Sequence, residues 1–207
     1  VLGILRRRWP ARPLGAVGYS LGGNVLLKFL AEEGPASPLR AAVAVSVPFD
    51  LAAGARAIGR GAMGRVYTAY FLRGLRRKMR EKAELLRGVI DLDAALRART
   101  LWAFDDAATA PISGFADALD YYQRCSSGPR LPEIRTRTLL LQARDDPFQP
   151  ADRLPEDAAR QNPAITACFT RRGGHVGFVA GSPWAPRFWV EEEIARFLGG
   201  EMAGSGR

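Results

Sequence analysis

The stretch Gly18-Tyr19-Ser20-Leu21-Gly22 sets one hydroxyl between two glycines, with an apolar run on either side. A serine hydroxyl is a poor nucleophile until a base removes its proton, and that base is usually an imidazole. The chain has one histidine, His175, in Gly173-Gly174-His175-Val176-Gly177-Phe178, where glycines give the ring room. An imidazole that moves protons needs an acid to fix its tautomer and stabilise its charged form. Asp145 and Asp146 stand together in Gln142-Ala143-Arg144-Asp145-Asp146-Pro147. These are the residue types of nucleophilic acyl chemistry. Each also has a plainer reading: a tight turn with an incidental serine, a structural histidine, a loop-capping or solvated carboxylate.

The elements that must carry these residues decide between the two. Leu14 to Gly18 is short, apolar and bounded by Pro13, and reads as a buried strand. Val25, Leu26, Phe29 and Leu30 then recur at helical spacing, with Gly34 as the stop. Ser20 therefore sits on a strand-to-helix turn sharp enough to strain its backbone and push its hydroxyl outward, and the glycines relieve the crowding. Ala41 to Val47 is a second apolar run closed by Pro48; Arg137 to Ala143 and Ile165 to Thr170 are two more. Trp189 to Leu198 reads as a helix. Strands apolar on both faces and alternating with helices indicate a parallel sheet covered by helices. Ser20, the aspartate pair and His175 each follow directly on a predicted strand, and functional groups in such sheets gather at those carboxyl ends.

From Phe49 to Arg135 no strand pattern appears. The expected division is a sheet-bearing core over residues 1–48 and 136–200, a helical cap inserted over 49–135, and a flexible tail over 201–207. The plainer reading of the insertion is that it completes the core. Within it, Val66, Tyr70, Phe71 and Leu72 lie beside cationic residues, as an acyl-binding surface or as ordinary internal packing.

The chain has 207 residues and a net charge of +9. Residues 51–100 hold twelve Lys and Arg against four Asp and Glu, so nearly all the excess sits there. The densest part, Arg73 to Lys82, reads either as a solvated helix face or as a surface for anionic lipid headgroups, with Arg73, Arg76, Arg77 and Lys78 as its contacts. No recognition motif accompanies the charge, so nucleic acid is not an expected partner. No window approaches the roughly 18 uninterrupted apolar residues of a membrane span. Two cysteines, Cys125 and Cys168, point to a reducing compartment and two buried thiols. The expected setting is cytoplasmic, with peripheral membrane contact as the sharper option. Neither a cofactor nor a metal is expected, and the oligomeric state is open.

Taken together, the segments "AVGYSLGGN", "PFDLAAG", "ISGFADALDYY", "LLLQARDDPFQP" and "GGHVGF" resemble the YheT-like group of α/β-hydrolases, bacterial candidate esterases and eukaryotic membrane-associated lipases, over almost the whole chain and in order. The resemblance implies an α/β-hydrolase fold, here the C-terminal portion of its mostly parallel sheet with helices on both sides and a helical cap. It implies Ser20 as nucleophile, His175 as base, and one aspartate of the pair as orienting acid. Ala143, Asp146 and Pro150 fit the spacing around that acid, which selects Asp146 over Asp145. The backbone N–H of Leu21 would be one oxyanion donor. The second donor comes from a loop after an early strand; with the nucleophile already at residue 20, the chain is expected to lack that loop, as part of a longer protein or through a misplaced start. The resemblance further implies hydrolysis of medium-chain or lipid-type carboxylic esters. Acyl transfer to an alcohol by the same serine, and non-catalytic binding of lipid or a partner, are the alternatives.

Overall fold

A computed structural model describes residues 1–182 and 184–203. The chain forms two compact units, Val1–Phe49 with residues from Ser126 onward, and Asp50–Cys125.

The first unit is built on four strands, β1 (Gly15–Tyr19), β2 (Ala41–Val45), β3 (Arg137–Ala143) and β4 (Ile165–Thr170), all parallel and in the order β1-β2-β3-β4. Its register runs Gly15 to Ala41 to Arg137 and Tyr19 to Val45 to Leu141, so the first three strands start level and β3 runs on to Ala143. A short α1 (Leu2–Arg8) precedes the sheet, and α2 (Leu21–Glu33) follows β1. Period-two alternation sends the two faces of the sheet to different helices. Ala42, Ala44 and Leu140 pack with Leu27 and Leu30 of α2, and with Leu131 and Ile134. Val43, Val45, Leu139 and Leu141 pack instead with Val190, Ile194, Phe197 and Leu198 of the last helix, Trp189–Ala203. β2 is buried at every position because both faces are covered.

Several expectations shift in detail. In α2 the inward face is Gly23, Asn24, Leu27, Leu30 and Ala31, and Val25 points out. Residues 126–135, grouped with the insertion on sequence, pack with the sheet unit. The segment expected to fray at 201 is helical to Ala203, and Arg137 pairs with Glu201 at 3.3 Å; residues 204–207 lie outside the described residues. A two-stranded antiparallel hairpin, Val179–Ser182 with Ala185–Phe188, was not expected; both strands are exposed throughout and carry no burial pattern. Cys125 and Cys168 form no disulfide, and each is partly buried. Burial, with Glu193 nearby, pushes the Cys168 thiol up.

The second unit is helical: α3 (Leu51–Ile58), α4 (Gly61–Glu81), α5 (Ala83–Leu86), α6 (Leu92–Arg97), α7 (Leu101–Phe104), α8 (Ala110–Ile112) and α9 (Ala118–Cys125). A π-helical turn over Asp105–Thr109 joins α7 to α8. Asp50, Asp91 and Thr100 cap α3, α6 and α7 by accepting from Ala53 N, Ala94 N and Ala103 N. Leu72, with Leu75 and Met79 of α4, packs on Ala95, Ala98, Phe104 and Ala108. Leu51, Ala118 and Tyr122 form a second cluster. Asp105 accepts from the hydroxyls of Thr109 and Tyr122, each at 2.6 Å. Burial raises its pKa, and these two hydrogen bonds oppose the rise. Arg76 departs from the expected solvent-facing row: it turns inward and donates to the carbonyl of Ala98.

Candidate active site

The site begins where β1 runs into α2. Ser20 has φ 51° and ψ −126°, a conformation that costs a non-glycine residue strain. It is held there from both sides. Its N–H donates to Val45 O at 2.8 Å, and its carbonyl accepts from Gly23 N at 2.9 Å and Asn24 N at 3.2 Å. Gly18 lets the helix approach the strand: a Cβ there would lie 2.6 Å from Gly22 O and 2.7 Å from Gly23 Cα. Asn24 is buried, and its Oδ1 accepts from Ser127 N at 2.9 Å, pinning the first turn of α2. Leu21 is the first residue of α2, and the leading N–H groups of a helix have no acceptor within it.

The acid lies in the turn after β3. Asp146 has a fully buried side chain and three donors around it. Phe148 N donates to Oδ1 at 2.9 Å, and Gln142 Nε2 donates to Oδ2 at 3.1 Å. His175 Nδ1 is 2.9 Å from the same Oδ2. His175 Nε2 is 2.9 Å from Ser20 Oγ. With the proton on Nδ1 donated to Asp146, Nε2 is left to accept from the serine hydroxyl. The structure thus brings Ser20, Asp146 and His175 together at the carboxyl edge of the sheet.

Asp145 lies outside this chain of hydrogen bonds. Its Oδ1 accepts from Gly174 N at 2.9 Å, which fastens the turn carrying His175 to the turn carrying Asp146. Gly174 has φ 63°, the left-handed region that glycine enters without a Cβ penalty. The Phe148 ring meets the His175 ring edge-on, with centroids 4.5 Å apart. Sequence reasoning singled out neither Gln142 nor Phe148. Among the described residues, no group of His, Cys, Asp and Glu side chains could hold a metal ion.

A buried carboxylate, an imidazole and a serine on a strained strand-to-helix turn form the arrangement that activates a hydroxyl for acyl transfer. A parallel sheet flanked by helices, with a serine on such a turn, is the architecture of the α/β-hydrolase fold. The profile of the alpha/beta hydrolase fold family matches residues 2–181, and the chain belongs to that family. It is similar to the YheT protein of Escherichia coli (strain K12), named as a candidate esterase, at 40% identity over 94% of this chain and 57% of that protein. It is similar to a monoacylglycerol lipase of Saccharomyces cerevisiae at 35% identity over 94% of this chain and 44% of the lipase. The chain spans about half the length of these relatives. A Pyrococcus furiosus esterase shares the fold, with a TM-score of 0.53 and 16% identity over 97% of this chain and 59% of the esterase.

Proposed function

We propose that the protein hydrolyses carboxylic esters of medium-chain or lipid type, with Ser20 as nucleophile, His175 as general base and acid, and Asp146 as the orienting carboxylate. The observation that carries this reading is the pair of 2.9 Å contacts from the two ring nitrogens of His175, one to Ser20 Oγ and one to Asp146 Oδ2. Similarity to an esterase-type protein and a lipase supports the ester class.

In the first half-reaction Ser20 Oγ bonds to the acyl carbon while His175 Nε2 takes the hydroxyl proton. Leu21 N–H donates to the oxyanion as it forms; removing one such donor typically costs roughly 10²–10³ in rate. The carbon–oxygen bond to the alcohol then breaks, and the proton on Nε2 leaves with the alcohol. Water repeats the sequence on the acyl-serine and releases the carboxylic acid. Asp146 keeps its charge throughout and stabilises the imidazolium.

The same proposal includes peripheral contact with an anionic lipid surface through α4. Met63, Val66 and Tyr70 are 63%, 62% and 73% exposed, and with Tyr67 and Phe71 they fall on one helical stripe. Arg73, Arg77, Lys78 and Arg80 are exposed in the turns that follow. Apolar and aromatic residues beside basic ones are the composition of a helix that lies in a membrane interface. Among the described residues, no helix is long and apolar enough to cross a membrane.

The test is labelling by a fluorophosphonate probe, followed by turnover of p-nitrophenyl esters of increasing chain length. Labelling at Ser20 that is lost in Ser20→Ala supports the mechanism. Ester turnover at the wild-type rate in that variant overturns it. Adding glycerol as acceptor separates hydrolysis from transfer, since transfer yields a new ester in place of free acid.

A further inference from the structure

The acid of the proposed triad is tied to the end of β3 by a residue that packing alone does not explain. Gln142 is fully buried in that strand, beside Leu139, Leu140, Leu141 and Ala143. A buried amide that is not fully hydrogen-bonded weakens a fold. Gln142 is in that state, because its Oε1 is buried and makes no hydrogen bond. An apolar side chain of the same length would remove that penalty. What such a side chain lacks is a donor.

The geometry shows where the donor goes. Gln142 Nε2 lies 3.1 Å from Asp146 Oδ2 and 3.4 Å from Ala143 O. Both of these atoms accept, so the amide presents its nitrogen to them; the reversed amide would set Oε1 against two oxygens. Oδ2 is also the oxygen that faces His175 Nδ1 at 2.9 Å, while Phe148 N holds Oδ1. Donors other than the histidine therefore grip both oxygens of the carboxylate. The torsion that turns a carboxylate is soft. With Phe148 N as its only other anchor, the group would be free to pivot and carry Oδ2 away from the ring.

That pivot bears on the serine. The Nδ1–H to Oδ2 hydrogen bond selects one tautomer of His175. A proton moved to Nε2 would point at Ser20 Oγ, 2.9 Å away, and leave no lone pair there to accept the serine proton.

We propose that Gln142 is a positioning residue: its amide fixes the Asp146 carboxylate so that Oδ2 stays on Nδ1 of His175 and Nε2 stays open to Ser20. The use of this arrangement in catalysis rests on the ester-hydrolase reading. The arrangement itself can be read without turnover.

His175 is the chain's one histidine, so its ring can be observed without overlap. The experiment is nitrogen NMR of the 207-residue protein carrying isotope-labelled histidine, with the ring in its neutral form. The shifts of the two ring nitrogens report which one carries the proton, and wild type is expected to hold it on Nδ1. Gln142→Met keeps the length of the side chain and removes the donor. Gln142→Asn keeps the amide and draws it back by one methylene. Each is expected to lower the ratio of Nδ1–H to Nε2–H roughly fivefold or more, and to slow fluorophosphonate labelling of Ser20 about tenfold, because misplaced catalytic groups lose rate steeply. Gln142→Met is expected to melt near wild type, since it removes a hydrogen bond and an unpaired oxygen together. A Gln142 that only fills the strand end would leave the tautomer ratio untouched in that variant. A wild-type ratio in Gln142→Met overturns the inference even where labelling slows, and Gln142→Asn decides the matter if Gln142→Met fails to fold. A wild type without the Nδ1 preference, or a shifted ratio beside wild-type labelling, overturns it as well. A shifted ratio in variants of a protein that never labels at Ser20 would instead remove the ester reading and leave Gln142 as the residue that positions the histidine.

Discussion

Two glycines of the Ser20 turn should respond to the same substitution with opposite signs. At Gly18 an added Cβ would sit 2.6 Å from Gly22 O, 2.7 Å from Gly23 Cα and 2.8 Å from Gly23 N. All three are backbone atoms, so no side chain can swing aside, and the first turn of α2 must move away from β1. Overpacking costs about 1–3 kcal/mol, and three backbone clashes place Gly18→Ala at about 3 kcal/mol. For a protein of this size, 1 kcal/mol corresponds to roughly 2–4 °C in melting temperature, so the expected fall is about 6–12 °C. At Gly22 an added Cβ meets nothing within 4 Å. Gly22 lies inside α2, where alanine is favoured over glycine by about 0.5–1 kcal/mol, so Gly22→Ala should raise the melting temperature by about 1–4 °C. Thermal melts of the two variants beside the wild type test this directly. Fluorophosphonate labelling adds a functional readout: Gly18→Ala should label Ser20 more slowly because the turn has shifted, and Gly22→Ala should not. A Gly18→Ala protein melting within 2 °C of wild type, or below-wild-type stability in Gly22→Ala, would refute the steric account of the turn.

Ser20→Ala should abolish probe labelling and ester turnover while leaving the melting temperature near wild type, because the removed hydroxyl leaves no large cavity. Asp146→Asn should keep the fold and slow labelling by about 10³–10⁴, the scale lost when the acid no longer fixes the histidine tautomer; labelling within tenfold of wild type would remove Asp146 from its role. Burial raises the Asp105 pKa, so the folded chain holds that proton more tightly than the unfolded chain. Its contribution to stability should therefore fall as pH rises from about 3.9 through the raised value, and Asp105→Asn should flatten that slope in urea unfolding between pH 4 and 7. Vesicle co-sedimentation should rise with anionic lipid and fall with salt. Replacing Arg73, Arg77 and Lys78 by Gln should then weaken it on the order of 100-fold, at about 1 kcal/mol per charge; equal binding to neutral vesicles would leave α4 as a solvated face.

The four strands were legible because each is a short apolar run with turn residues at its ends, and burial on both faces of the sheet left no polar alternation to confuse them. Their ends were less so. The second strand stops at Val45, two residues before the apolar run does, because Ser46, whose N–H still donates to Leu141 O at 2.9 Å, takes φ 53° and turns the chain out of the strand. Ser20, the aspartate pair and the chain's one histidine, His175, could be picked out because each follows a separate apolar strand. Gln142 could not, because a glutamine inside an apolar strand has no sequence mark that distinguishes a carboxylate donor from a tolerated polar residue. Arg76 was misplaced for a related reason: charge alone does not say that one guanidinium in a basic row will turn in to a free carbonyl. The paired strands Val179–Ser182 and Ala185–Phe188 were invisible because exposed strands carry no hydrophobic period.

The neighbouring strands β2 and β3 pair in the sheet although the whole helical unit lies between them in the chain. The exit and return points are close: Phe49 O accepts from Gly128 N at 3.0 Å. Pairing of this kind is slow to form from an open chain, since a long loop must close before any contact rewards it. Contacts within the helices are local and can form first. A helical unit that has already folded would deliver Phe49 and Gly128 to each other with most of the loop already collapsed. The order of events is then set by connectivity: helices early, the β2–β3 seam late, and the histidine turn after that, because β4 and the turn beyond it have no edge to join until β3 is in place. Ser20 and His175, which come from opposite ends of the sheet unit's sequence, would meet only in the last step, so the emergence of probe labelling during refolding would serve as a clock for completion of the fold.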